Sequence, residues 1–92
     1  MKHKYSAKIT YKIDSEHPDY ECISPKKRNG TLDYSDVYTL DDDYYYGTDD
    51  MLDYMKEDLL LIAGGGYNWK HVHDVKFDIR EIYLALAHMI KY

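Results

Sequence analysis

From Lys4 to Ile13 the chain alternates without a break. Tyr5, Ala7, Ile9, Tyr11 and Ile13 fall on one side, and Lys4, Ser6, Lys8, Thr10 and Lys12 on the other. Successive side chains of a strand point to opposite faces. The segment is therefore predicted to be a strand with one face buried and one lysine-rich face in water. The buried face needs a second layer to cover it, so the rest of the chain has to supply one.

The sequence has 92 residues, enough for a single domain spanning 1–92. A chain of this size buries only about 60–65% of its unfolded surface, which allows one modest core and argues against a deep substrate cavity. With 45% hydrophobic and 32% charged residues, the composition is that of a globular protein. The longest uncharged stretch, Leu59 to Trp69, is interrupted by three glycines and is too short to span a bilayer. Met1-Lys2-His3-Lys4-Tyr5 does not read as the start of a secretory signal. The lone cysteine, Cys22, excludes an internal disulfide and a cysteine-based zinc site. A cytoplasmic protein is expected, and in no case a membrane protein.

Further elements follow from local chemistry. Tyr20–Ile23 is a short strand candidate. Asn29-Gly30 is a two-residue turn signal, since a type I′ turn needs positive φ at both central positions. Leu32, Tyr34, Tyr38 and Leu40 have a period of two, so residues 31–40 are predicted to form a strand; Asp36 breaks its apolar face. After a loop at 41–47, Thr48 is a suitable helix N-cap, with Asp49 and Asp50 in the first turn, where the dipole favours acids. The helix is expected to run to about Ala63 and stop at Gly64. It gathers Met51, Leu52, Met55, Leu59, Ile62 and Ala63 on one side and Asp49, Asp50, Asp53 and Glu57 on the other. Val75 and Phe77 alternate with charged residues, predicting a strand at about 72–78. A helix is expected over about 80–91. The fold class expected is α+β: a small antiparallel sheet of about 3–4 strands with one or two helices packed on one face.

Most catalytic patterns fail. The glycine triplet Gly64-Gly65-Gly66 leaves a helix rather than entering one, which excludes a phosphate loop. Counted from Asp41 as an EF-hand, position six is Tyr46 and position twelve is Leu52, where glycine and glutamate are needed. His71 and His73 share one face of a strand, yet no third ligand stands at a recognisable spacing, and His3, His17 and His88 are scattered. No serine lies in a nucleophile elbow. Neither a catalytic residue, nor a metal site, nor a cofactor is expected.

Charge is where the sequence departs from a bland domain. Residues 1–32 carry seven basic and four acidic residues; residues 33–58 carry ten acidic residues and one lysine, a net of −9. Six of the twelve tyrosines lie in that acidic band. Tyrosine is enriched at interface hot spots, and carboxylates around it select a basic partner and speed encounter. A partner-binding set is predicted from Asp41, Asp42, Asp43, Tyr44, Tyr45, Tyr46, Asp49, Asp50, Asp53 and Glu57. Asp49, Asp53 and Glu57 recur about every 6 Å along the helix axis, a row suited to a groove built for phosphates. The basic run Lys26-Lys27-Arg28 is read as a solvated hairpin tip, and direct nucleic-acid binding is not expected.

Small size, acidity, one compact α+β domain, no enzyme motif and an acidic tyrosine-bearing face together resemble the phage-encoded anti-defence inhibitors. These are the anti-CRISPR proteins, the anti-restriction proteins and the uracil-DNA glycosylase inhibitors. The resemblance is one of type and rests on no motif, so no residue role is carried over. It implies a protein partner with a basic surface, such as a nuclease or CRISPR effector, blocked by occlusion of its nucleic-acid-binding site. Two other readings stay open: a self-associating accessory protein without enzymatic activity, and a metal-binding domain using His71 and His73.

Overall fold

The computed structural model describes residues 1–66 and 68–82. Three antiparallel strands form one sheet: β1 (Lys2–Ile13), β2 (Leu32–Asp41) and β3 (Val72–Glu81), in the order β2-β1-β3. The first strand in sequence is thus the central one. Helix α1 (Pro25–Arg28) is a single turn, and helix α2 (Thr48–Gly64) covers one face of the sheet. This is the α+β architecture expected from the sequence.

The register explains the burial. Ala7 stands opposite Ile79 on one side and Asp36 on the other; Ile9 stands opposite Phe77 and Tyr34. Odd-numbered β1 residues therefore share a face with Tyr34 and Tyr38 of β2 and with Phe77 and Ile79 of β3, and Tyr5, Ala7 and Ile9 are buried beneath α2. Met51, Met55 and Leu59 complete the core, joined by Leu40 and Ala63. Spaced four apart, these helix residues stack on one face, and each fully buried side chain of this size contributes about 1.5–3 kcal/mol. A smaller cluster of Ile13, Leu32 and Val72 closes the far end of the sheet. On the uncovered face, Lys2, Lys4, Lys8 and Lys12 remain exposed, as the alternation requires.

Several local expectations are corrected. Tyr20–Cys22 is a 3-10 turn, not a strand. Asn29-Gly30 closes no hairpin: Lys26, Lys27 and Arg28 belong to α1, which Ser24 caps by accepting the Lys27 amide (3.4 Å) with Pro25 in the first turn. Pro25 pre-sets helical φ and needs no donor there, so this tetrapeptide forms a helical turn where a hairpin tip was expected. The Arg28 guanidinium lies 4.6 Å from the Tyr20 ring centre, anchoring the turn. Thr48 is the first helical residue rather than the cap; Gly47, at φ 136°, precedes it. The helix ends one residue later than expected, with Gly65 in the left-handed region at φ 65°. Ile62 is 42% exposed and lies off the buried stripe. β3 continues through Arg80 and Glu81, where a helix was expected, because Ser6 and Tyr5 pair with them. The remainder of the expected 80–91 helix lies beyond Ile82, outside the described residues.

His17 is buried at 5% exposure. Its Nδ1 accepts the Asp19 amide (3.0 Å) and its Nε2 donates to the Gly64 carbonyl (3.1 Å). One acceptor and one donor nitrogen define a neutral ring of fixed tautomer. The ring thus satisfies a carbonyl at the end of α2, where helices leave acceptors unpaired.

Candidate functional site

The acidic band divides into an inner, engaged half and an outer, free half. The inner half is the corner where β2 runs into a 3-10 turn, Asp42–Tyr44. Asp41 accepts the Asp43 amide (3.1 Å) and the Met1 ammonium (3.2 Å); Asp42 accepts the same ammonium at 2.9 Å. The Asp43 amide and then the ammonium hold the Asp41 carboxyl below the ordinary carboxylate range, a hydrogen bond from His3 and then the ammonium do the same for Asp42, and Asp42 and then Asp41 push the ammonium up to about 10. The carboxylates of Asp41, Asp42 and Asp43 converge within 4.8 Å, and the cation they surround is that ammonium.

His3 ties the corner to the sheet. Its Nε2 faces Asp42 at 3.0 Å and its Nδ1 faces Glu81 at 2.6 Å. Ionised carboxylates only accept, so both ring nitrogens donate and the ring is an imidazolium. Asp42, and then Glu81, raise its pKa above the ordinary 6.5.

The tyrosine triplet splits. Tyr45 turns inward against the core and packs on Tyr54, with ring centres 5.7 Å apart. Tyr54 in turn meets Tyr38 edge-on at 6.4 Å, and the Tyr38 hydroxyl donates to Asp58 at 2.6 Å. Burial, reinforced by Asp58, raises the Tyr38 pKa well above its ordinary value. Tyr44 and Tyr46 point outward, 83% and 103% exposed. The Tyr46 amide donates to Asp50 at 3.0 Å, so Asp50 braces the loop from the helix's first turn.

The outer half is the solvent side of α2. Asp49, Asp53 and Glu57 are all exposed there. Among the described residues, no ion pair or side-chain hydrogen bond engages them. The row ends in a shallow recess of about 340 Å³ lined by Glu57, Leu60, Leu61 and Trp69. Trp69 is 53% exposed. The sequence reading left this apolar end out of the binding set. Its signal was present: Leu60 and Leu61 fall outside the main stripe, and the lone tryptophan follows the glycine triplet.

Of the ten predicted binding residues, Asp43, Tyr44, Tyr46, Asp49, Asp53 and Glu57 form the exposed surface. Asp41, Asp42, Asp50 and Tyr45 support it from beneath. His71 and His73 sit at the opposite end of the sheet, where β3 begins. No helix among the described residues is long and apolar enough to cross a membrane. Compared with known families, curated proteins and solved structures, the chain matches none.

Proposed function

We propose that the chain is a protein-binding inhibitor of a nucleic-acid-processing enzyme of the anti-CRISPR or anti-restriction kind. It acts from the cytoplasm of a bacterial host by occluding a basic site on that enzyme. The observation that carries this reading is the row Asp49, Asp53 and Glu57, exposed and unengaged among the described residues, flanked by Tyr44 and Tyr46 at one end and Trp69 at the other. Unpaired carboxylates at helical spacing offer a partner regularly spaced negative charge, as a nucleic-acid backbone does. Exposed aromatics at both ends supply the apolar anchors that dominate interface energies. A solubilising surface needs the charge and has no use for the aromatics.

The test is capture of a partner from bacterial lysate by the wild-type chain, beside a variant carrying Asp49→Lys, Asp53→Lys and Glu57→Lys. The expected partner is a nuclease or nuclease complex that the wild type holds, that nucleic acid displaces, and that the variant captures poorly at moderate salt. Equal binding by the triple variant at low salt would sink the reading.

A further inference from the structure

The acidic row and the apolar recess share one residue. Glu57 is the last carboxylate of the series Asp49, Asp53, Glu57, and it also lines the recess with Leu60, Leu61 and Trp69. Positions 57, 60, 61 and 64 lie three or four apart and so fall on one face of α2. Three of them carry side chains. The fourth, Gly64, carries none, and this is what admits the tryptophan. A Cβ on Gly64 would collide with the Trp69 backbone, so the turn Asn68–His71 rests on bare helix there. The turn is fixed at both ends. The Asn68 side-chain amide donates to the Gly65 carbonyl at 3.1 Å, and the His71 carbonyl accepts the Asp14 amide at 3.1 Å. Trp69 is therefore held between two anchored residues while its side chain stays half exposed.

We propose that this recess seats one arginine side chain of a basic partner. The alkyl stem lies along Leu60 and Leu61, and the guanidinium meets the Glu57 carboxylate and the Trp69 ring.

Charge complementarity selects the occupant. Among the described residues Glu57 makes no ion pair or side-chain hydrogen bond. Its neighbour Lys56 lies over the Phe77 ring instead, 6.0 Å from the centre, and Lys70, beside Trp69, is exposed without pairing to it. The carboxylate therefore enters any interface with its charge uncompensated. A purely apolar side chain in the recess would cover Leu60 and Leu61 but strip water from that carboxylate and leave it unpaired, which is costly. A cation on a long alkyl stem avoids this, because the stem covers apolar surface while the head stays at the rim. Lysine presents a compact, strongly hydrated charge. Arginine presents a weakly hydrated plane that stacks on an aromatic ring and grips a carboxylate with two N–H groups. That this arginine is one which otherwise holds a phosphate rests on the function proposed above, since guanidinium groups are favoured for phosphate recognition.

The experiment uses the full chain and an end-capped peptide with arginine at alternate positions. In an extended peptide such residues recur about every 6.6 Å, close to the spacing of about 6 Å along the acidic row. Matched peptides carry lysine, or the uncharged citrulline, in place of arginine. Binding is followed by calorimetry and by the indole N–H resonance of the single tryptophan. The arginine peptide is expected to bind about two- to fivefold more tightly than the lysine peptide, the worth of one cation–π contact at a half-exposed ring, and to move the indole resonance. The citrulline peptide should not bind. Trp69→Leu and Glu57→Gln change exposed side chains and keep the fold; each should erase the preference for arginine while the lysine peptide still binds through Asp49 and Asp53. Equal affinity for arginine and lysine, with an unmoved indole, would overturn the proposal and leave the acidic row standing. A preference that survives Trp69→Leu would also overturn it. Binding of neither peptide would remove the recess and the row together. A preference that depends on Trp69, with no nuclease captured from lysate, would keep the recess and sink only the reading of the partner as a nuclease.

Discussion

Gly64 is a residue whose role depends on space rather than on backbone freedom. A Cβ at this position would stand 2.7 Å from the Trp69 amide nitrogen and 2.9 Å from its Cα. Backbone atoms do not yield as a flexible side chain does, so Gly64→Ala should destabilise by roughly 1–3 kcal/mol, read from the denaturant midpoint. Leu59, with no exposed surface at all, should cost about 2–5 kcal/mol on truncation to alanine. A loss below about 1 kcal/mol would mean that α2 does not seal the sheet as described. Tyr44 and Tyr46 predict the opposite outcome. Their truncation should leave stability within about 0.5 kcal/mol of wild type while weakening partner binding by about 2 kcal/mol if they are anchors. Loss of stability instead of binding would make them structural.

At the scale of elements, the corner joining β2 to α2 is held by charge. His3 donates from both nitrogens, to Asp42 and to Glu81, which fastens the loop after β2 to the ends of β1 and β3. Its raised pKa means that its stabilising contribution is complete below the ordinary 6.5 and is lost as pH climbs through the higher folded value. Asp41 and Asp42 shift the other way, so their contribution is present above the ordinary 3.8 and lost as pH falls through their lower folded values. Stability of the wild type should therefore decline above pH 6.5, and His3→Gln should flatten that decline in a series of thermal melts. An unchanged profile in His3→Gln would show that the clasp contributes nothing. Elements with a clean period were legible in the sequence: β1, from its alternation, and the Met51, Met55, Leu59 stripe of α2. Tyr20–Cys22 was not, because three residues of mixed polarity carry no period and the ring of Tyr20 is fixed by Arg28 instead. The length of β3 was obscured because Ile79 and Ile82 satisfy strand and helix spacing alike, and pairing with Tyr5 and Ser6 decides between them. The candidate face was legible in its charges but not in its division. That Asp42 is tied to His3, and that Tyr45 packs inward, depends on contacts made across the fold.

The whole molecule is polar in the electrical sense. One layer exposes the lysines of β1, and the other exposes the carboxylates of α2. Exposed charge acts mainly through long-range steering, so reversing Asp53 and Glu57 to lysine should slow association with a basic partner and flatten its salt dependence, with little change in dissociation. Stopped-flow rates across a salt series would measure this, and an unaltered salt slope would remove α2 from the interface. The strand order has a separate consequence, in time rather than in space. Translation delivers the central strand first and its two neighbours later, so β1 leaves the ribosome with an apolar face and two open edges. β2 can pair with it only after residue 32 emerges, and β3 only after residue 72. Contacts such as Ser6 with Arg80 bridge most of the chain, and closing so long a loop before any reward slows folding. At about 5–20 residues per second of synthesis, the nascent segment waits several seconds with its hydrophobic side uncovered and only its lysine-bearing side suited to water.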